Sequence, residues 1–231
     1  MKRRNLIRSA VLGTLAVLLA VCVVGVIAGC STEGEETQQQ SQETPAADDT
    51  ASDAVSEVDP DDPYATGTHH AVIEVEGYGT IEVALNANVA PITVSNFCHL
   101  VEDGFYDGLT FHRVVPGFMI QGGDPAGNGT GGSENTIKGE FSSNGVENSI
   151  PHVRGTISMA RASDPDSASS QFFIMQETAS YLDGEYAAFG SVTSGMEVVD
   201  AICEKVPVAD EQSGYVNTED QPVITSITLV D

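Results

Sequence analysis

From His69 onward the apolar residues come in short runs, and most are cut off by Gly, Ser, Asp or Pro before they reach helical length. "AVIEVEGYGTIEVAL" is two alternating runs around Gly77 and Gly79, the pattern of a hairpin. "LTFHRVV", "GTISMA", "QFFIMQ", "AAFGSV" and the closing "PVITSITLVD" are further strand-length pieces. Only two stretches carry a helical period. In "APITVSNFCHLVEDG", Pro91 suits a first turn, Val94, Phe97, Cys98 and Val101 share a face, and Gly104 ends the pattern. In "GMEVVDAICEKV" the stripe is Met196, Val199, Ile202 and Cys203. Many short strands, two helices and no regular strand-helix alternation exclude a doubly wound parallel sheet. They predict an antiparallel sheet closed on itself, over a length that suffices for one core.

The preceding residues belong to other classes. "MKRRNLIR" is basic, and the run from Ala10 to Ala28 is uncharged and long enough to enter a bilayer. It closes on "VIAGC", which resembles the lipobox of bacterial lipoproteins. The resemblance implies a signal peptide over 1–29, cleavage before Cys30 and a diacylated Cys30, two chains being enough for stable anchoring. The other reading is an uncleaved signal anchor. Both place the remainder outside the cytoplasm. Residues 30–68 then form a tether. Between Ser31 and Thr68 there are eleven acidic residues, no basic ones and little to bury, so disorder is expected up to the folded domain at 69–231.

Without the leader's four cations, five basic side chains face 34 acidic ones, which excludes a nucleic-acid partner and adsorption onto an anionic membrane. Cys98 and Cys203 are the domain's two cysteines; the compartment permits a disulfide, but their places on helical stripes favour two buried thiols. His69, His70, His99 and His152 lack metal-ligand spacing, so no metal and no cofactor is expected. Nothing demands a partner chain, and a monomer is expected.

One block sets a cation among apolar groups. In "FHRVVPGFMIQGGDP", Arg113 stands with Phe111, Val114, Val115, Phe118, Met119 and Ile120, followed by Gln121. Burying an unpaired charge costs several kcal/mol or more, so such an arginine snorkels, pairs with an acid, or serves a site. This block, with "GNGTGG", "GTISMAR", "SSQFFI" and "YLDGEYAAFG" in that order, resembles the cyclophilin family of peptidyl-prolyl cis-trans isomerases, and the likeness spans essentially 69–231. It implies an eight-stranded closed antiparallel barrel capped by two α-helices at opposite ends, a placement that also disfavours a Cys98–Cys203 bond. A peptide groove lies on the barrel's outer face.

The implied chemistry is rotation about an X-Pro bond, against a barrier of about 18 to 20 kcal/mol. In the twisted transition state the prolyl nitrogen becomes pyramidal and gains a lone pair. A donor aimed there binds the transition state better than either planar isomer. The resemblance assigns that role to Arg113, with Gln121 holding the arginine and the substrate backbone. Phe118, Met119, Phe173 and Leu182 wall the proline pocket, and Gln171 lies beside Phe173. Ala160, Arg161 and Ala162 pair with the substrate as an added strand. Gly129, in the glycine loop, borders the groove, and Tyr181 and Tyr186 flank it. The partners implied are proline-containing segments of folding polypeptides.

Three positions depart from frequent family patterns. Tyr181 replaces a tryptophan associated with tight cyclosporin binding, so weak binding of that drug is expected. Tyr186 stands where many eukaryotic members have histidine, and Arg161 gives "MAR" where they have "MAN". The segment Ala162–Ser169 is also longer than in short eukaryotic members. Other matches mislead: Gly127, Gly129 and Gly132 satisfy GxGxxG without the strand before and helix after that a dinucleotide site needs. His112 reads as structural, since isomerisation transfers no proton. The function expected is an extracytoplasmic prolyl isomerase assisting protein folding, the alternative being a non-catalytic peptide-binding chaperone or scaffold on the same fold. A hydrolase lacks a nucleophile at meaningful spacing.

Overall fold

The computed structural model describes residues 54–230. The leader, Cys30 and the first part of the tether lie outside the described residues. β1 (Thr68–Val75) and β2 (Gly79–Asn86) form the expected hairpin, with Ile73 opposite Ile81. Then come α1 (Pro91–Glu102), β3 (Arg113–Val115), β4 (Met119–Gly122), β5 (Thr156–Met159), β6 (Phe172–Met175), β7 (Ala188–Ser194), α2 (Met196–Lys205) and β8 (Ile224–Leu229). The strands form one antiparallel sheet in the order β3-β4-β6-β5-β7-β2-β1-β8.

The expected closure is looser than a full barrel. The outer strands β3 and β8 share no ladder. The seam is the bridge Thr110↔Val223, with Phe111 N–H donating to Pro222 C=O (2.9 Å) and Ile224 N–H to Leu109 C=O (2.7 Å). β3 is only three residues long, so the chain just before it meets the start of β8 instead.

Inside the sheet, Ile73, Ile81, Leu85, Phe97, Phe111, Val114, Ile120, Phe172, Ile174 and Phe189 are fully buried in one cluster. Both helices feed it, α1 through Val94, Phe97 and Cys98 and α2 through Val199, Ile202 and Cys203. The two cysteines are buried thiols, as expected. α1 begins at Pro91 and has no local side-chain cap. Its first donors are taken by a distant carboxylate: Glu140 accepts Ile92 N–H (3.1 Å), Thr93 N–H (2.8 Å) and the Thr93 hydroxyl (2.6 Å). Orphan donors at a helix start are satisfied this way, and the dipole favours an anion there.

The tether boundary needs correction. Residues 54–67, read from composition as part of a disordered segment, lie against the domain. Val55 N–H donates to Thr136 C=O (2.9 Å) and Lys138 N–H to Val55 C=O (2.8 Å), while Val58 and Tyr64 pack on the core. Asp62 accepts from the Ser95 hydroxyl and lies 3.1 Å from His99 Nε2 on α1. Burial pushes the Asp62 carboxyl up, but bonds from Ser95, the Tyr64 N–H and His99 outweigh it and hold it below its ordinary value. Two apolar residues and one well-placed carboxylate dock the strap, too sparse a signal to register in average composition.

Candidate active site

Strand alternation builds the site on the outer face of β3, β4 and β6. Val114, Ile120, Phe172 and Ile174 point into the core, so their neighbours Arg113, Val115, Met119, Gln121, Phe173 and Met175 face the other way. Register then sets them side by side, with Arg113↔Gln121, Gln121↔Phe173 and Met119↔Met175 as partners. Met119, Phe173, Met175, Ala179 and Leu182 form a second apolar cluster, with Phe118, Ala160 and Tyr186 packed on it. This cluster is the wall of a cavity of about 320 Å³ lined by Arg113, Phe118, Met119, Gln121, Ala160, Arg161, Phe173, Tyr181, Leu182 and Tyr186.

An adjoining cavity of about 290 Å³ shares Gln121, Ala160 and Arg161 with the first and adds Gly129, Ala162 and Gln171. All the expected site residues of the folded domain therefore line one of two neighbouring hollows. Gln171 belongs to the second, donating to Gly131 C=O (2.7 Å) and accepting from Gln121 Nε2 (2.9 Å).

Arg113 is half-buried at the rim. Its Nη1 donates to Gln121 Oε1 (3.1 Å) and lies 3.8 Å from Met119 Sδ, and its Nε donates to Ser213 C=O (2.6 Å). Among the described residues no carboxylate pairs with it, and Nη2 makes no hydrogen bond. Burial lowers its pKa, partly offset by Tyr186 and Tyr181. The cation is thus braced by neutral acceptors on two nitrogens, with the third left for a ligand. Ser213 is the contributor that sequence reasoning missed. Its loop reaches the arginine through Val114 N–H to Gly214 C=O (2.8 Å) and Val216 N–H to His112 C=O (3.0 Å). Only glycine fits at 214: φ is +78°, and a Cβ would stand 2.4 Å from Val115 Cγ2.

His112 is buried, and neither ring nitrogen has a hydrogen-bond partner among the described residues. Burial lowers its pKa, Asp124 opposing and Arg113 reinforcing the shift. It is a core histidine without a base's geometry.

Arg161 lines both hollows, and its side chain is also a strut. The guanidinium lies 5.1 Å from the Phe141 ring centroid and 4.8 Å from that of Tyr186. It also donates to Glu185 C=O from Nε (3.1 Å) and Nη2 (3.0 Å), and to Ala162 C=O (2.9 Å). A planar cation between two rings fixes Tyr186, which lies edge-to-face with Phe173, ring centroids 5.8 Å apart. Tyr181, the most exposed member at 71 %, stacks on Phe118 at 6.1 Å.

The glycine loop hangs on Asp124, which is buried. Its carboxylate accepts the N–H groups of Ala126 (2.7 Å), Asn128 (3.0 Å) and Gly129 (2.6 Å).

Comparison with known proteins gives a consistent result. The family model described as cyclophilin type peptidyl-prolyl cis-trans isomerase/CLD matches residues 70–229. Peptidyl-prolyl cis-trans isomerase A of Dickeya dadantii is 43 % identical over 171 residues, covering 70 % of this chain and 84 % of that protein. Peptidyl-prolyl cis-trans isomerase B of Bacillus subtilis is 50 % identical over 125 residues, covering 53 % of this chain and 82 % of that one. Among solved structures, a cyclophilin type peptidyl-prolyl cis-trans isomerase of Cryptosporidium parvum, crystallised in the presence of the dipeptide Ala-Pro, is similar with a TM-score of 0.61. It is 31 % identical, and the match covers 70 % of this chain and 99 % of that one.

Proposed function

The chain belongs to the cyclophilin-type peptidyl-prolyl cis-trans isomerases and is an enzyme of that class, and from the basic leader, the apolar run and "VIAGC" we propose that it works outside the cytoplasm, on X-Pro bonds of polypeptides that have crossed the membrane holding it. Lipidated Cys30 is the anchor, and the acidic residues that follow carry the domain away from the membrane surface.

The observation that carries the mechanism is a cation braced by Gln121 and Ser213, with no carboxylate partner among the described residues, at the mouth of an apolar hollow. The prolyl ring enters against Phe118, Met119, Phe173 and Leu182. As the amide twists and resonance is lost, the lone pair growing on the prolyl nitrogen accepts a hydrogen bond from the Arg113 guanidinium. Planar cis and trans ground states lack that lone pair, so the interaction acts on the barrier. The backbone of 160–162 pairs with the substrate chain, so affinity rests on main-chain bonds and demands little sequence. A related structure obtained with Ala-Pro supports proline-containing peptides as the ligand class.

Anchoring is tested by fractionating cells that produce the full chain or its Cys30→Ala variant. The wild-type chain should enter the membrane fraction as a cleaved, lipid-labelled protein. Cys30→Ala should lose the label and the cleavage that depends on it. Wild-type chain that retains its leader and takes up no lipid would leave a signal anchor in place of the lipoprotein.

Tyr181 gives a second expected outcome. A phenol at this exposed lip lacks the indole N–H donor, so cyclosporin should bind weakly. Tyr181→Trp should tighten it about tenfold, the equivalent of roughly one hydrogen bond. Titration of both proteins checks this, and equal affinities would remove the lip residue from the explanation.

A further inference from the structure

Behind the floor of the proline pocket lie three polar side chains that the isomerisation does not use. His152 Nδ1 is 3.0 Å from Asp183 Oδ1, and His152 Nε2 is 3.0 Å from Ser158 Oγ. The Asp183 carboxyl is held below its ordinary value, first by the His152 backbone N–H (2.7 Å), with burial opposing and the imidazole reinforcing. An ionised Asp183 can only accept, so Nδ1 carries the proton, Nε2 presents its lone pair and the Ser158 hydroxyl donates to it. The polarity is that of an acyl-transfer triad. Yet Ser158 is 0 % exposed and His152 1 %, so no electrophile reaches the hydroxyl and the constellation is sealed.

Its connections indicate another use. Asp183 follows Leu182 directly, at the end of the short helical turn Ser180–Leu182 that carries Tyr181 and Leu182 into the pocket wall. His152 C=O accepts Ala179 N–H (2.9 Å), so both ends of that turn are tied to one residue. Ser158 stands opposite Phe173 in the β5–β6 register. The imidazole itself stacks on the Phe173 ring, at 6.0 Å and 18°. With both nitrogens bonded, the ring has one orientation, and it touches floor and wall at once.

We propose that His152 is a positioning residue for the isomerase reaction, locking the wall turn bearing Tyr181 and Leu182 to the Phe173 floor and so fixing the width of the slot that receives the prolyl ring. The slot grips the ring in the cis, trans and twisted states alike. Loosening it removes uniform binding, which raises KM and spares kcat. Arg113 acts in the opposite sense.

The proposal rests on this pocket being the working site, and the experiment separates the two questions. Isomerase kinetics are measured on the full chain in detergent for the wild type, Asp183→Ala, Asp183→Asn, His152→Phe and Arg113→Ala. Asp183→Ala leaves the core intact and should raise KM about tenfold, the size of one lost aromatic contact, with kcat little changed. Asp183→Asn keeps an oxygen that accepts the same two N–H groups and should recover most of that loss. His152→Phe keeps the stack without the bonds and should match Asp183→Ala; if it does not fold, the Asp183 pair decides. An Asp183→Ala KM equal to wild type, or one equal to that of Asp183→Asn, overturns the proposal. An Arg113→Ala variant with full activity would overturn the site assignment itself, and this proposal with it.

Discussion

Arg113→Ala should lower kcat for an X-Pro peptide by about 10² to 10³, the loss seen when one preorganised transition-state donor is removed, and should leave KM nearly unchanged. The guanidinium is half-buried, has no carboxylate partner among the described residues, and is held by Gln121 Oε1 and Ser213 C=O. Its removal therefore deletes a donor and leaves no charge unpaired, so the fold should survive. Arg113→Lys should recover little. An ammonium on a flexible stem has neither an Nε to meet Ser213 nor a planar fork to keep a further nitrogen aimed at the substrate. A protease-free isomerisation assay beside circular dichroism makes the measurement. Folded Arg113→Ala with turnover within a few-fold of wild type would overturn the assignment of the working site to Arg113 and the hollow beside it.

What the sequence conveyed depended on how far apart the interacting residues were. The β1–β2 hairpin and both helices are local patterns, and their boundaries came out within a few residues. β4 was not separable from "FHRVVPGFMIQGG" by pattern. Its four residues end in Gly122, where a Cβ would stand 2.7 Å from Thr110 C=O, so close packing erased the side chain that would have marked the strand. β6 reads as an unbroken apolar run because Phe172 and Ile174 fill the core while Phe173 and Met175 fill the pocket cluster. Period two vanishes when both faces are covered.

The site was legible through motif order more than through chemistry. Arg113, Gln121 and Phe173 announced themselves in long, specific blocks. Their supports did not. Ser213 acts through its carbonyl and lies 100 residues from Arg113, so its identity carries no signal. Glu140 caps α1 from 47 and 48 residues away. Arg161 was read with the substrate-pairing segment, whereas its side chain braces Tyr186, because a backbone role and a side-chain role at one position cannot be told apart from a string.

Asp124→Ala should destabilise the protein by about 1 to 3 kcal/mol, since three backbone donors lose their acceptor at once in a loop whose donor residues water can partly re-solvate. Asn in its place should be nearly as harmful. Oδ1 serves Ala126 while Oδ2 serves Asn128 and Gly129, so an amide sets its own N–H₂ against one group of donors. The sign of the pH dependence follows from the carboxyl. Burial pushes its pKa up, but the N–H groups of Ala126, Asn128, Gly129 and Gly131 outweigh burial and hold it below 3.8. A folded-state pKa below the unfolded one gives stability that is fully present above the unfolded value and fades as pH falls through the folded one. The gap between wild type and Asp124→Ala should therefore stay constant from neutral pH to about pH 5 and shrink below about pH 4. Activity should follow, because Gly131 C=O anchors Gln171, Gln171 anchors Gln121, and Gln121 braces Arg113. Urea unfolding of both proteins across that range makes the comparison. A gap that persists undiminished at pH 3 would show that ionisation of Asp124 contributes nothing beyond the acceptors its oxygens supply in either protonation state.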